Sequence, residues 1–199
     1  GLKRITEPVD ILDRDAFEKE LNELGSLRAK ADAIRTRLAK SINTKYQENP
    51  AYYENFSKRI KEALELYKAR TITEAEYLAK MRDILEDYRT GKSAIAYPDR
   101  IRANVHAQAF YGVLTAIFSN EKLSVEPDFA AEMALDITTI IEKHSQVDWT
   151  HNLTIHDRIS QDIDDLFYRY QKEKGLVLSF DVIDMIIENV KTVALRRFA

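Results

Sequence analysis

"VDWTHNLTIHDRISQDIDDLFYRY", Val147 to Tyr170, holds two of the chain's four histidines, its only tryptophan and five aspartates. Such a stretch reads either as a metal-dependent active site or as a capped amphipathic helix. At about 100° per residue, Ile155, Ile159, Ile163, Leu166 and Tyr170 return to one face, which predicts a helix from Thr154 to about Lys174. Thr154 with Asp157 makes a capping-box variant at its start. The same rotation scatters the acids, and Asp164 points away from Asp162 and Asp165. Arg158, Asp162, Asp165 and Arg169 follow one another at spacings of four, three and four, so each Asp has an Arg a turn away. A solvated ion-pair ladder is therefore expected here, in place of a metal site.

The same period recurs along the rest of the chain. Leu27, Ala31, Ile34, Leu38 and Ile42 form an amphipathic stripe after a short charged segment from near Asp13 to Gly25 and Ser26. Asn49 as N-cap with Pro50 at the first helical position opens a second, with Tyr52, Tyr53, Phe56, Ile60, Ala63, Leu64 and Tyr67 on one face. Thr73 and Glu76 make a capping box for a third, which runs to about Tyr88, and Ile72 and Tyr77 occupy the positions of a hydrophobic staple. Gly91 and Pro98 bracket a loop, after which Ile101, Val105, Ala109, Val113, Ile117 and their neighbours carry another stripe. A turn around Ser119 to Pro127 leads to a helix through Met133, Ile137, Ile140 and Ile141. The last helix starts at Ser179 and carries Ile183, Ile186, Ile187, Val190 and Val193. The predicted fold is all-α, about seven amphipathic helices, with a lead-in over residues 1–25 and a helical assembly domain over 26–199.

Composition agrees. The 199 residues are 45% hydrophobic, enough for a core, and five glycines and four prolines are few. Thirty basic and 33 acidic residues leave a net charge of -3, which gives no global attraction to nucleic acid or to an anionic membrane. Absence of cysteine excludes disulfides, thiolate metal sites and a cysteine nucleophile. No apolar run approaches the roughly 20 residues that span a bilayer and no signal peptide is visible, so a cytoplasmic location and no membrane partner are expected. Gly1 in place of Met suggests a tag remnant on a piece of a longer polypeptide.

Five other features bear on chemistry. His156-Asp157 resembles the paired ligands of helical HD-type phosphohydrolases, for which His106, His144 and His151 would have to supply further ligands. Against that, His156 falls in the first helical turn. "TGKSA", Thr90 to Ala94, ends like a phosphate-binding loop, but Glu86 stands where the first glycine is needed, so a linker is expected. The Arg28–Lys45 helix has one acid, Asp32, among its cations, and Arg28, Arg35, Arg37 and Lys40 are its candidate phosphate contacts. Those charges spread around the polar surface, as on an ordinary solvated face. Trp149 is expected as an anchor against the core; Tyr52, Tyr53 and Phe56 are core candidates that at a helix start are also candidate docking aromatics.

Read in order, "AKADAIRTRL" (Ala29 to Leu38), "NPAYYENFSKRIKEAL" (Asn49 to Leu64), "RTITEAEYLAKM" (Arg70 to Met81), "AFYGVL" (Ala109 to Leu114), "VDWT" (Val147 to Thr150), "DIDDLFY" (Asp162 to Tyr168) and "LSFDVIDMIIENV" (Leu178 to Val190) resemble the C-terminal helical region of the restriction (R) subunit, HsdR, of type I restriction-modification enzymes. The resemblance runs from about Ala29 to Arg197, with a weaker lead-in. It implies a parent polypeptide with a nuclease domain and two ATP-driven motor domains, for which ATP and Mg are expected. The helical region would dock that subunit on its methyltransferase (modification and specificity) core and meet DNA only through the assembled complex. None of the family's catalytic motifs stands in these residues, so no catalytic, cofactor-binding or metal-binding residue is carried over. The alternative is a nucleic-acid-contacting helical module that uses the Arg28–Lys45 helix.

Overall fold

In a computed structural model the protein is described over residues 9–199, and among these residues there are eight α-helices, three short 3₁₀ turns and no strand. The helices are α1 (Arg14–Asn22), α2 (Leu27–Lys45), α3 (Pro50–Lys68), α4 (Glu74–Thr90), α5 (Val105–Asn120), α6 (Pro127–His144), α7 (Leu153–Lys174) and α8 (Phe180–Arg197). They form two compact units, one of the chain up to Thr44 with Glu54–Ala94, the other of Lys45–Tyr53 with Ile95–Ala199. Of the lead-in 1–25, residues 1–8 lie outside the described residues.

The additional helix is α1, which occupies the charged segment. Asp13 caps it by accepting from the Ala16 amide at 3.1 Å, and Phe17 and Leu21, one turn apart, are fully buried. Ion pairs hold it on both flanks: Arg82 reaches Glu18 and Arg37 reaches Glu20, each at 2.6 Å, while Arg89 donates to the Ile11 carbonyl at 2.6 Å. The rest of the first unit's core is aromatic and aliphatic. Tyr77 stacks on Tyr67 at 4.7 Å, Phe56 meets Tyr88 edge-on at 5.5 Å, and Ile34, Leu38, Met81 and Leu85 fill the space between the helices.

The sequence locates the helix ends well in this unit. The capping box is formed as predicted: Thr73 Oγ1 accepts from the Glu76 amide at 3.2 Å, and Glu76 accepts from the Thr73 amide at 2.7 Å. At the other end of α4, Gly91 adopts φ 70°, and the Lys92 amide returns to the Asp87 carbonyl at 2.9 Å. That left-handed stop accounts for "TGKSA" as a helix terminus and linker.

In the second unit α5 is buried nearly all round, with Ala107, Ala109, Phe110, Gly112, Leu114 and Phe118 among its buried residues. Its start corrects the predicted stripe. Ile101 is buried but belongs to the 3₁₀ turn Asp99–Ile101, Asn104 caps the helix, and Val105 is 58% exposed. A strict spacing of four drifts by about 40° per step, so those five residues cannot share one face. Gly112 lies against the first turn of α3: a Cβ there would stand 2.7 Å from the Ala51 Cβ. Around α5 pack α6 and α8, and α7 closes the core with Ile159, Ile163, Phe167 and Tyr170.

Candidate functional site

The stretch Val147–Tyr170 is structural. Trp149 is buried and its indole N–H donates to the Phe198 carbonyl at 2.9 Å, the anchor expected of it. The cap of α7 is Asn152, which accepts from the Ile155 amide at 3.3 Å; this corrects the Thr154–Asp157 capping pair, whose residues fall two positions too late. The ion-pair ladder is also corrected. Asp162 turns from the arginines of its own helix to the last turn of α6, where His144 lies at 2.7 Å and Lys143 at 3.0 Å. Asp165 accepts from Gln161 at 3.0 Å, and Arg169 faces Asp136 at 3.9 Å. The reason is that Lys143, at the C-terminal end of α6, answers both the helix dipole and the α7 carboxylate, while the His144 ring is within hydrogen-bonding reach of the same carboxylate. The His144 hydrogen bond, followed by Lys143, holds the Asp162 carboxyl below its ordinary range.

These groups line a shallow groove of about 340 Å³ between α6 and α7, with Asp136, Lys143, Asp162, Asp165 and Arg169 on its walls. The Tyr170 hydroxyl donates to Asp136, and burial followed by that bond pushes its pKa up. Opposite charges alternate along the groove, so it carries no concentrated field for an ion. Each histidine has its own partner: His106 accepts from Arg197 at 3.1 Å, His144 pairs with Asp162, His151 meets Thr150 at 3.0 Å and His156 meets the Trp149 carbonyl at 3.1 Å. Among the described residues no three His, Asp or Glu side chains gather as a metal ion would need.

On α2 three of the four candidate phosphate contacts meet two carboxylates. Arg28 and Arg35 share Asp32 at 3.6 and 3.5 Å. Arg37 is tied to Glu20 and to the Val9 carbonyl at 2.8 Å, and Lys40 stands exposed. The aromatics at the start of α3 part company. Tyr52 and Tyr53 are half-buried with their rings edge-on at 5.0 Å, whereas Phe56 is fully buried in the first unit under the Arg59 guanidinium at 5.6 Å, a core residue with no surface for docking.

Two features escape the sequence. At the end of α8, Arg197 donates to the Glu48 carbonyl at 2.9 Å and to the Val105 carbonyl at 3.1 Å as well as to His106. Burial lowers the Arg197 pKa, and burial with the neighbouring Arg197 charge lowers that of His106. Nothing in a terminal "LRRFA" says which arginine turns inward. The second is the exposure of three large apolar side chains in the α7–α8 hairpin, Tyr168, Val177 and Phe180.

The family described as type I restriction enzyme HindI endonuclease subunit-like, C-terminal, matches residues 3–194. The chain belongs to this family. The match takes in α1 and all but the last turn of α8, so it extends well before Ala29, where the sequence resemblance becomes clear. No curated protein and no solved structure matches the chain. No helix among the described residues is long and apolar enough to cross a membrane. Within this restriction-subunit family the chain presents a helical region in which part-buried ion pairs such as Arg37–Glu20, Arg59–Asp87 and Arg82–Glu18 tie neighbouring helices together.

Proposed function

We propose that this C-terminal restriction-subunit domain docks its parent subunit on the methyltransferase core of a type I restriction enzyme, in the cytoplasm. On this reading ATP and Mg serve the parent's motor domains and DNA is met through the assembled complex. Family membership over residues 3–194 carries the proposal. The geometry supports it in kind: Asp32 and Glu20 answer the three arginines of α2, and the net charge of -3 favours a protein partner over a phosphate backbone. Those two carboxylates offset half of the positive charge on which the nucleic-acid alternative depends.

The test is truncation. A restriction subunit ending after Lys92 lacks α5 to α8 and keeps everything before them. It should fail to co-elute with the methyltransferase complex on size exclusion, and should show no translocation or restriction. Assembly of the shortened subunit with unchanged affinity refutes the docking role of the second unit.

A further inference from the structure

Phe180 is 85% exposed, Val177 83% and Tyr168 66%, unusual for large apolar side chains beside a well-filled core. Two hydrogen bonds set the register of α7 against α8. Gln171 donates to the Leu178 carbonyl at 2.9 Å, and Lys191 donates to Ser160 at 3.3 Å. The helices therefore run antiparallel, and Tyr168 stands level with the first turn of α8, where Phe180 lies. At about 100° per residue, Tyr168 and Asp164 share the flank of α7 that bears Ser160 and Gln171. Phe180 and Asp184 share the flank of α8 that bears Lys191. These four side chains thus border one outward seam.

The fold does not use the two aromatics. α8 fills the core with Val182, Ile183, Ile186, Ile187, Val190 and Val193, and Tyr168 lies off the buried stripe of α7. The rim is acidic. Asp164 and Asp184 on the seam and Asp181 and Glu188 beside it are all exposed, against Lys172 and Lys191, and Lys191 is held by Glu188 at 2.8 Å. Carboxylates around an aromatic pair repel a phosphate backbone and complement lysines and arginines around an apolar pocket. Exposed aromatics with a polar rim are the residue types that anchor protein interfaces.

We propose that the Tyr168–Phe180 ridge of α7 and α8 is the docking surface itself, and that its occupant is a basic protein surface with an apolar pocket on the methyltransferase core. This rests on the docking function proposed above and assigns it to one hairpin. The experiment uses the full restriction subunit and the methyltransferase complex as the probe, titrated at about 50 mM and about 200 mM salt. Phe180→Ser with Tyr168→Ser should weaken binding at least about ten-fold, with the far-ultraviolet spectrum and melting midpoint unchanged. Phe180→Leu should retain most of the affinity. Asp164→Lys with Asp184→Lys should weaken binding more at the lower salt than at the higher, as a charged rim requires. Wild-type affinity in both double variants overturns the ridge and leaves the docking role standing on another surface. A wild-type subunit that does not bind the complex at all overturns the docking role and the ridge with it. Self-association of the wild-type subunit that disappears in Phe180→Ser makes a second copy the occupant and overturns the proposal.

Discussion

Gly112→Ala sets two physical effects of opposite sign against each other. In a helix interior alanine is favoured over glycine by about 1 kcal/mol, because glycine loses more backbone freedom on folding. An exposed glycine in the middle of α5 would therefore gain stability from the change. At Gly112 the new methyl would lie 2.7 Å from the Ala51 Cβ, about 1 Å inside the optimal carbon separation. Ala51 has no side-chain rotation to give, so relief needs movement of α5 or of the first turn of α3. Overpacking of this kind costs about 1–3 kcal/mol. With no rotamer to relieve the contact the cost falls in the upper half of that range, about 2–3 kcal/mol, so the close approach wins and a net loss of about 1–2 kcal/mol is expected, read as a lower midpoint in urea at unchanged slope. Ala51→Gly in the Gly112→Ala background should recover most of the clash, with a coupling of about 1 kcal/mol or more in a double-mutant cycle. An unchanged or raised midpoint for Gly112→Ala, or strict additivity of the pair, refutes the contact.

Thr73→Ala removes one side of the capping box and should cost about 0.5–2 kcal/mol; an unaltered denaturation midpoint would show that α4 does not depend on this cap. Asp164→Asn should be nearly silent, while Asp162→Asn, losing the bonds to His144 and Lys143, should cost up to about 1 kcal/mol and less at high salt. Equal effects of the two would remove the distinction drawn between them. His106 titrates below its ordinary value of 6.5, so the unfolded chain takes up its proton first as the pH falls. The stability it supports is present above about 6.5 and is lost as the pH drops from there through the lowered folded value. His106→Gln should flatten that part of the stability profile, and an identical profile in the variant contradicts the Arg197–His106 contact.

Helix periodicity was legible wherever one face alone is buried. The stripes of α2, α7 and α8 fall where the apolar residues recur, and Asn49, Thr73 and Ser179 cap where their side chains can reach an amide three residues on. The start of α5 was not legible, because a helix buried on nearly every side has no polar face to fix its phase. Helix α1 hid behind its charge: Phe17 and Leu21 are two apolar residues in a nine-residue helix. Spacing alone paired Asp162 with the arginines of its own helix, yet it takes α6 as its partner, since sequence distance says nothing about which helix lies alongside. Phe180 was unreadable as a surface residue for a related reason. It follows a cap and precedes an apolar stripe, and only the register of α7 against α8 turns it outward.

On the proposed function a protein, not DNA, is the domain's main contact. Titration of the restriction subunit against the methyltransferase complex and, separately, against duplex DNA at physiological salt tests it most directly. Saturable binding to the methyltransferase complex is expected, with a Kd of about 1 μM or tighter, lost on truncation after Lys92. The isolated residues 1–199 should bind duplex DNA no more tightly than about 100 μM. Tight binding of that isolated region to duplex DNA with a steep salt slope, together with no affinity for the methyltransferase complex, would contradict it.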